Sequence, residues 1–184
     1  AFATMADIQR EADIITFHVP LTKDGPHPTF HMAGADFFNS LVRRPLVVNT
    51  SRGGVVDNGA LLDALIYNKV EDAVIDTWEN EPEIDRRLLR RVWIATPHIA
   101  GYSADGKANA DNMVIDGLCR HFGLRRPPLI VPPPLPPTFV PSTDADTLRL
   151  QLYNPLDDSA RLKAAPERFE ELRGNYPLRR EWYA

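Results

Sequence analysis

Cysteine is almost missing: Cys119 is the only one in 184 residues. No disulfide can therefore form within the chain, and stability must come from an apolar core. Long apolar runs are absent too, since none approaches the roughly 20 residues that span a bilayer as a helix. No basic stretch followed by a leader-like apolar core stands at the start. Excess positive charge is lacking: the net charge is −4, so nothing suggests nucleic acid as a partner. The histidines and Cys119 fall at no metal-ligand spacing, and no metal is expected. Nor does any Gly-x-Gly-x-x-Gly occur, the loop that opens the first βα unit of a dinucleotide fold. What is present is ordinary for a globular domain: 43% hydrophobic and 25% charged residues. Neither a membrane nor a nucleic-acid partner is expected, and the reducing cytoplasm is the expected compartment.

Short apolar runs alternate with helical patterns. Ile14 to Val19 reads as a strand stopped by Pro20, followed by a polar loop over 22–29. Residues 33–42 suggest a short helix with Phe37, Phe38 and Leu41 on one side. Leu46 to Asn49 is the next strand. Asp57 and Asn58 can cap a helix over 59–68, with Leu61, Leu62, Leu65 and Ile66 as its apolar stripe. Asp72 to Asp76 and Val92 to Ala95 read as two more strands, separated by a charged helix near 85–91. Ser103 starts a longer helix reaching about 122, where His121 suits the helix dipole. This alternation predicts a parallel α/β sheet. Residues 125–141 break the pattern with eight of the 17 prolines. They read as a stiff polyproline spacer or, less simply, as a ligand for an aromatic-lined peptide-binding domain. Residues 144–184 are mixed, charged and too few for a substantial core of their own.

Three separated pieces carry the chemistry: Asn49 to Gly54, Asp76 to Pro82, and Thr96 to Tyr102. Each follows a run rich in Val and Ile. In an open α/β sheet the residues just past the strands' carboxyl ends face the ligand crevice. An arginine, a carboxylate and a histidine thus arrive at one sheet edge. A guanidinium grips a carboxylate at two points. A histidine exchanges protons near neutrality. Taken singly, each residue has a plainer reading: Arg52 a surface arginine, His98 a structural histidine, Asp76 a turn cap. Glu79, Glu81 and Glu83 share one acidic loop; Glu79 and Glu83 read as solvated charge. His18, His27 and His31 read as strand and loop residues.

The three pieces resemble the D-2-hydroxyacid dehydrogenase family. A narrower likeness, to members acting on a phosphorylated 2-hydroxy acid, rests on Thr16 to Pro26, His98 to Tyr102 and the tail Phe169 to Trp182. The fold implied is α/β: a partial Rossmann-like parallel sheet, the second half of a nucleotide-binding domain. The implied division is 1–122 for that half, 123–143 for the proline-rich linker and 144–184 for a short, truncated C-terminal dimerisation segment. The implied cofactor is NAD, with NADP left open. The implied catalytic residues are Arg52, Glu81 and His98. Val19, Thr50, Ser51, Arg52, Asp76 and Gly101 would contact the cofactor, and Arg52 and Tyr102 the substrate. Val19 stands where close relatives have threonine, so packing is kept and a hydroxyl lost. A homodimer is implied for the complete protein. With no glycine-rich loop and Ala1 in place of Met, these residues read as a fragment, inactive by itself. Two alternatives stay open: another 2-hydroxy acid, such as phosphoglycerate or glycerate, or a truncated, non-catalytic relative.

Overall fold

The Val- and Ile-rich runs form strands, as their β-branched side chains favour. In the computed structural model, which describes residues 2–181, the strands are β1 (Ile14–Phe17), β2 (Leu46–Asn49), β3 (Asp72–Ile75) and β4 (Ile94–Ala95). They pair in that order, all parallel. The register sets Phe17 against Asn49, Asn49 against Ile75 and Ile75 against Ala95. All four carboxyl ends therefore finish level, along one edge.

Three strands are shorter than the sequence suggests, β3 by the single residue Asp76 and β1 and β4 by two residues each. Beyond Asn49 the chain leaves β2 for a turn, so nothing past Phe17 has a ladder partner. Val19 packs half-buried against the core instead. Val92 closes α4 (Arg86–Arg91) by donating its amide to the Leu88 carbonyl, and pairing of β4 begins only after it.

The described residues gather into two compact units. The first runs to His98 and includes Pro155–Gly174. Its helix α1 (Met5–Glu11), unmarked by apolar spacing, starts with a capping box between Thr4 and Asp7. Hydrogen bonds from the Thr4 hydroxyl, the Thr4 amide and Arg10 lower the Asp7 pKa to about 2. Helix α2 (Ala35–Asn39) buries Phe37 and Phe38. Helix α3 (Asn58–Ile66) is capped by Asp57, which accepts from the Ala60 amide. It buries Leu61, Leu62 and Leu65, but Ile66 lies outside the stripe at 49% exposed.

The tail contributes to this core. Helices α7 (Pro155–Ala164) and α8 (Phe169–Gly174) fully bury Leu162 and Phe169 in the same cluster as β2 and β3. Each such side chain contributes about 1.5–3 kcal/mol. The Ala95 amide, facing outward from β4, donates to the Ser159 hydroxyl, so this buried edge is not left unpaired.

The second unit comprises Ile99–Asn154 and the residues from Asn175 on. Helix α5 (Ala104–Phe122) is capped by Ser103, whose hydroxyl accepts from the Gly106 amide, and it ends at Gly123 in the left-handed region. Helix α6 (Ala145–Leu152) is capped by Asp144. The proline-rich stretch is tied down rather than free-standing. Asn112 of α5 donates to the Ile130 carbonyl at 2.8 Å and accepts from its amide at 3.0 Å. Asp116 pairs with Arg126, and Arg180 donates to the Pro133 carbonyl. An extended proline-rich segment has no internal hydrogen bonds, and side chains of α5 and the tail supply them here. Trp182, the last residue of the tail motif, lies outside the described residues.

Candidate active site

Asn49, fully buried at the end of β2, shapes the first turn. Its Oδ1 accepts from the Ser51 amide at 3.2 Å and from the Ser51 hydroxyl at 3.0 Å. Its Nδ2 donates to the Arg52 carbonyl at 3.0 Å. The backbone of residues 50–52 is thereby fixed, while the Arg52 side chain is exposed, with Nη1 donating to the Ser51 carbonyl. Gly53 sits directly on the next turn. A Cβ there would lie 1.8 Å from the Trp78 carbonyl oxygen and 2.8 Å from the Glu79 nitrogen, so only glycine fits.

Asp76 ends β3 and is 2% exposed. Its Oδ1 accepts from the Thr96 hydroxyl at 2.6 Å, and its carbonyl accepts from the His98 amide at 2.9 Å. The turns after β3 and β4 are thus joined twice. The buried Trp78 joins them a third time, its indole N–H donating to the Thr96 carbonyl at 3.0 Å. Glu81 then spans the gap. Its Oε1 accepts from the Trp78 amide at 2.7 Å, and its Oε2 lies 2.8 Å from His98 Nδ1.

With a carboxylate oxygen on Nδ1, that nitrogen carries the proton and donates. The neutral ring then keeps its lone pair on Nε2, the form that accepts a proton from a substrate hydroxyl. The side chains of Glu81 and His98 are only 16% and 26% exposed, which limits competition from water. His98 has φ +56°, uncommon for a residue with a side chain. The arrangement suits a positioned acid–base pair.

Glu79 corrects the sequence reading. It is not a solvated charge: Oε2 accepts from the Asn58 amide at 2.8 Å, and its own amide donates to Asn58 Oδ1 at 3.1 Å. Its Oε1 lies 2.7 Å from His31 Nε2, while Asp57 Oδ2 lies 3.4 Å from His31 Nδ1. His31, Asp57 and Glu79 thus bring three ligand-type atoms within 4.8 Å of one another. The carboxylates face opposite ring nitrogens, however, so the histidine is used as a bridge between them.

Thr50 and Ser51 occupy the first turn, half-buried. Val19 lies just past β1 at the same edge. Gly101 and Tyr102 belong to the second unit. Gly101 is exposed, with open space where a Cβ would be. The Tyr102 ring meets Tyr176 edge-on at 6.1 Å, and the Lys107 ammonium lies 4.4 Å from its centroid. The structure therefore joins Glu81 to His98 directly and sets Arg52 and Asp76 on neighbouring strand ends. Sequence reasoning assigned no role to Asn49, Trp78, Thr96, Glu79 or His31. Apart from Asn49, which bonds within its own turn, their partners lie up to 48 residues away, and no local spacing marks them.

Residues 1–100 match the family described as D-isomer specific 2-hydroxyacid dehydrogenase, NAD binding domain. An erythronate-4-phosphate dehydrogenase of Bacteroides thetaiotaomicron is 54% identical over 180 residues, covering 98% of this chain and 52% of that protein. The Porphyromonas gingivalis enzyme of the same name is 41% identical over 192 residues, covering 100% of this chain and 52% of that protein. The chain thus spans about half the length of these curated relatives. Among solved structures, the D-lactate dehydrogenase of Lactobacillus jensenii with NAD+ matches at a TM-score of 0.55 and 27% identity, covering 70% of this chain and 42% of that one. A Staphylococcus aureus NAD-dependent formate dehydrogenase in complex with NAD matches at 0.54 and 27%, covering 66% and 36%. With the family model matched over more than half of its length, the chain belongs to the D-isomer specific 2-hydroxyacid dehydrogenases, in their NAD-binding domain.

Proposed function

We propose that this chain serves NAD-dependent oxidation of 4-phospho-D-erythronate to 2-oxo-3-hydroxy-4-phosphobutanoate, a step in pyridoxal phosphate (vitamin B6) biosynthesis. The observation that carries the chemistry is the contact of 2.8 Å between Glu81 and His98 Nδ1. The substrate follows from identities of 54% and 41% to proteins named for it, against 27% to the lactate and formate enzymes.

His98 acts as the base. Its Nε2 takes the proton of the C2 hydroxyl, and Glu81 holds the ring in the required tautomer. NAD, when bound, takes up the hydride that leaves C2. Arg52, exposed at its tip on a fixed backbone, grips the substrate carboxylate through two parallel N–H donors. In the reverse direction His98 returns the proton.

The donor set suits a nicotinamide. Thr50 and Ser51 offer hydroxyl and amide groups at the end of β2, beside Arg52. Asp76, fixed by Thr96, offers an acceptor at the end of β3. Val19 and Gly101 complete the cofactor contacts, and Tyr102 contacts the substrate. The working protein is proposed to be a cytoplasmic homodimer. The exposed apolar residues Met113, Val114, Leu118 and Phe122 of α5 support a covered surface.

The test is substrate competition on the native polypeptide, followed by NADH formation. The expected kcat/KM with 4-phospho-D-erythronate exceeds that with 3-phosphoglycerate or glycerate by at least about 100-fold. Preference for either competitor would replace the substrate assignment, and no turnover with any of them would favour a non-catalytic relative.

A further inference from the structure

We propose that His31 is a positioning residue, clamping the Arg52 turn to the turn that carries Glu81. Its kinetic consequence rests on the dehydrogenase reading; its structural consequence does not.

The backbone holds one side of the clamp. The His31 amide donates to the Gly54 carbonyl at 2.7 Å, the Ala33 amide to Val55 at 3.1 Å and the Asp57 amide to Ala33 at 3.1 Å. Residues 31–33 therefore run alongside residues 54–57, immediately after Arg52. The side chain holds the other side. Nε2 meets Glu79 at 2.7 Å, two residues before Glu81. The second oxygen of Glu79 is engaged by the Asn58 amide at the start of α3. His31 Nδ1 faces Asp57, the cap of the same helix. The hydrogen bond runs between Nε2 and Glu79, with the Asp57 carboxylate lying further off beside Nδ1.

Two further features suit a held ring. Phe30 stacks on it, with centroids 3.9 Å apart and planes 14° from parallel. His31 also has φ +51°, a conformation that side-chain-bearing residues keep when their surroundings over-determine it. The clamp thus reaches from the backbone of one catalytic turn to a carboxylate in the other. Displacement of about 1 Å between reacting groups costs on the order of 100-fold in rate.

The test compares His31→Ala, His31→Gln and Glu79→Gln with wild type in the native polypeptide. Gln can extend an N–H towards Glu79 from about the place of Nε2, so it serves as the conservative variant. Two readouts are taken well below the melting temperature: steady-state kinetics with NAD and the 2-hydroxy acid, and the NMR signal of the His98 Nδ1 proton. For His31→Ala the expected kcat falls about 10- to 100-fold, and the His98 signal moves. Glu79→Gln should move it in the same sense. His31→Gln should restore the signal and most of the rate. An unchanged His98 signal and kcat in His31→Ala, with only a lower melting temperature, would reduce His31 to a stability role. If His31→Ala does not fold, Glu79→Gln decides between the same two outcomes. If wild type itself reduces no NAD, the dehydrogenase reading fails, and the NMR comparison alone decides the clamp.

Discussion

Replacing His98 by Asn lowers turnover by about 10²- to 10⁴-fold and leaves NAD affinity nearly unchanged. Asn is the informative choice because His98 has φ +56°, a region that Asn tolerates better than most residues. The backbone hydrogen bond to the Asp76 carbonyl then survives, and only the imidazole is lost. Glu81→Gln should be harmful for a different reason. The amide oxygen can still accept from the Trp78 N–H, but its NH₂ would face His98 Nδ1. That nitrogen would have to accept, the proton would move to Nε2, and the base would point the wrong way. Turnover and cofactor titration on the native polypeptide measure both variants. Loss of NAD binding in His98→Asn would make His98 structural, and normal turnover would remove it from the chemistry.

Gly53→Ala is expected to damage stability and catalysis together. Its Cβ would need to occupy a point 1.8 Å from the Trp78 carbonyl oxygen and 2.2 Å from the carbonyl carbon. Backbone atoms cannot swing aside as a flexible side chain would, so the Arg52 turn and the Trp78–Glu81 turn must separate. The expected loss is about 1–3 kcal/mol or more. The same shift displaces the turn that carries Arg52 from the turn that carries Glu81, so kcat/KM falls as well. Gly117→Ala is the control, because open space surrounds that exposed helical position. There the change should be neutral or stabilising by up to about 1 kcal/mol. Thermal melts of both variants decide it: equal melting temperatures would mean that the close approach at Gly53 has been misread.

How far the sequence foretold these features depends on the range of the interaction. The four strands were legible because each is a compact apolar run followed by a polar turn. Their ends were less so. The end of β1 is set by where β2 stops offering a partner, and no residue between Phe17 and Val19 records that. Glu81 and His98 were both named from the resemblance, and the structure sets them 2.8 Å apart. The role of Glu79 was not legible: in an acidic loop it looks like its neighbours, and only the fold delivers the start of α3 and His31 to it. The tail was hard for the opposite reason. Leu162 and Phe169 are too few to announce a core, yet both are fully buried because β2 and β3 provide the rest of it. The proline-rich segment shows composition without context, since Asn112 and Asp116 that bind it lie on the preceding helix, whose sequence does not mark them as its partners.

The central claim is that His98 takes the hydroxyl proton while hydride leaves the carbon bearing that hydroxyl. The direct measurement uses 4-phospho-D-erythronate carrying deuterium at C2, with NAD and the native polypeptide, and follows the label by mass spectrometry. The account predicts deuterium in the reduced nicotinamide. Deuterium released to water, or a 2-oxo product formed without reduced nicotinamide, would contradict it.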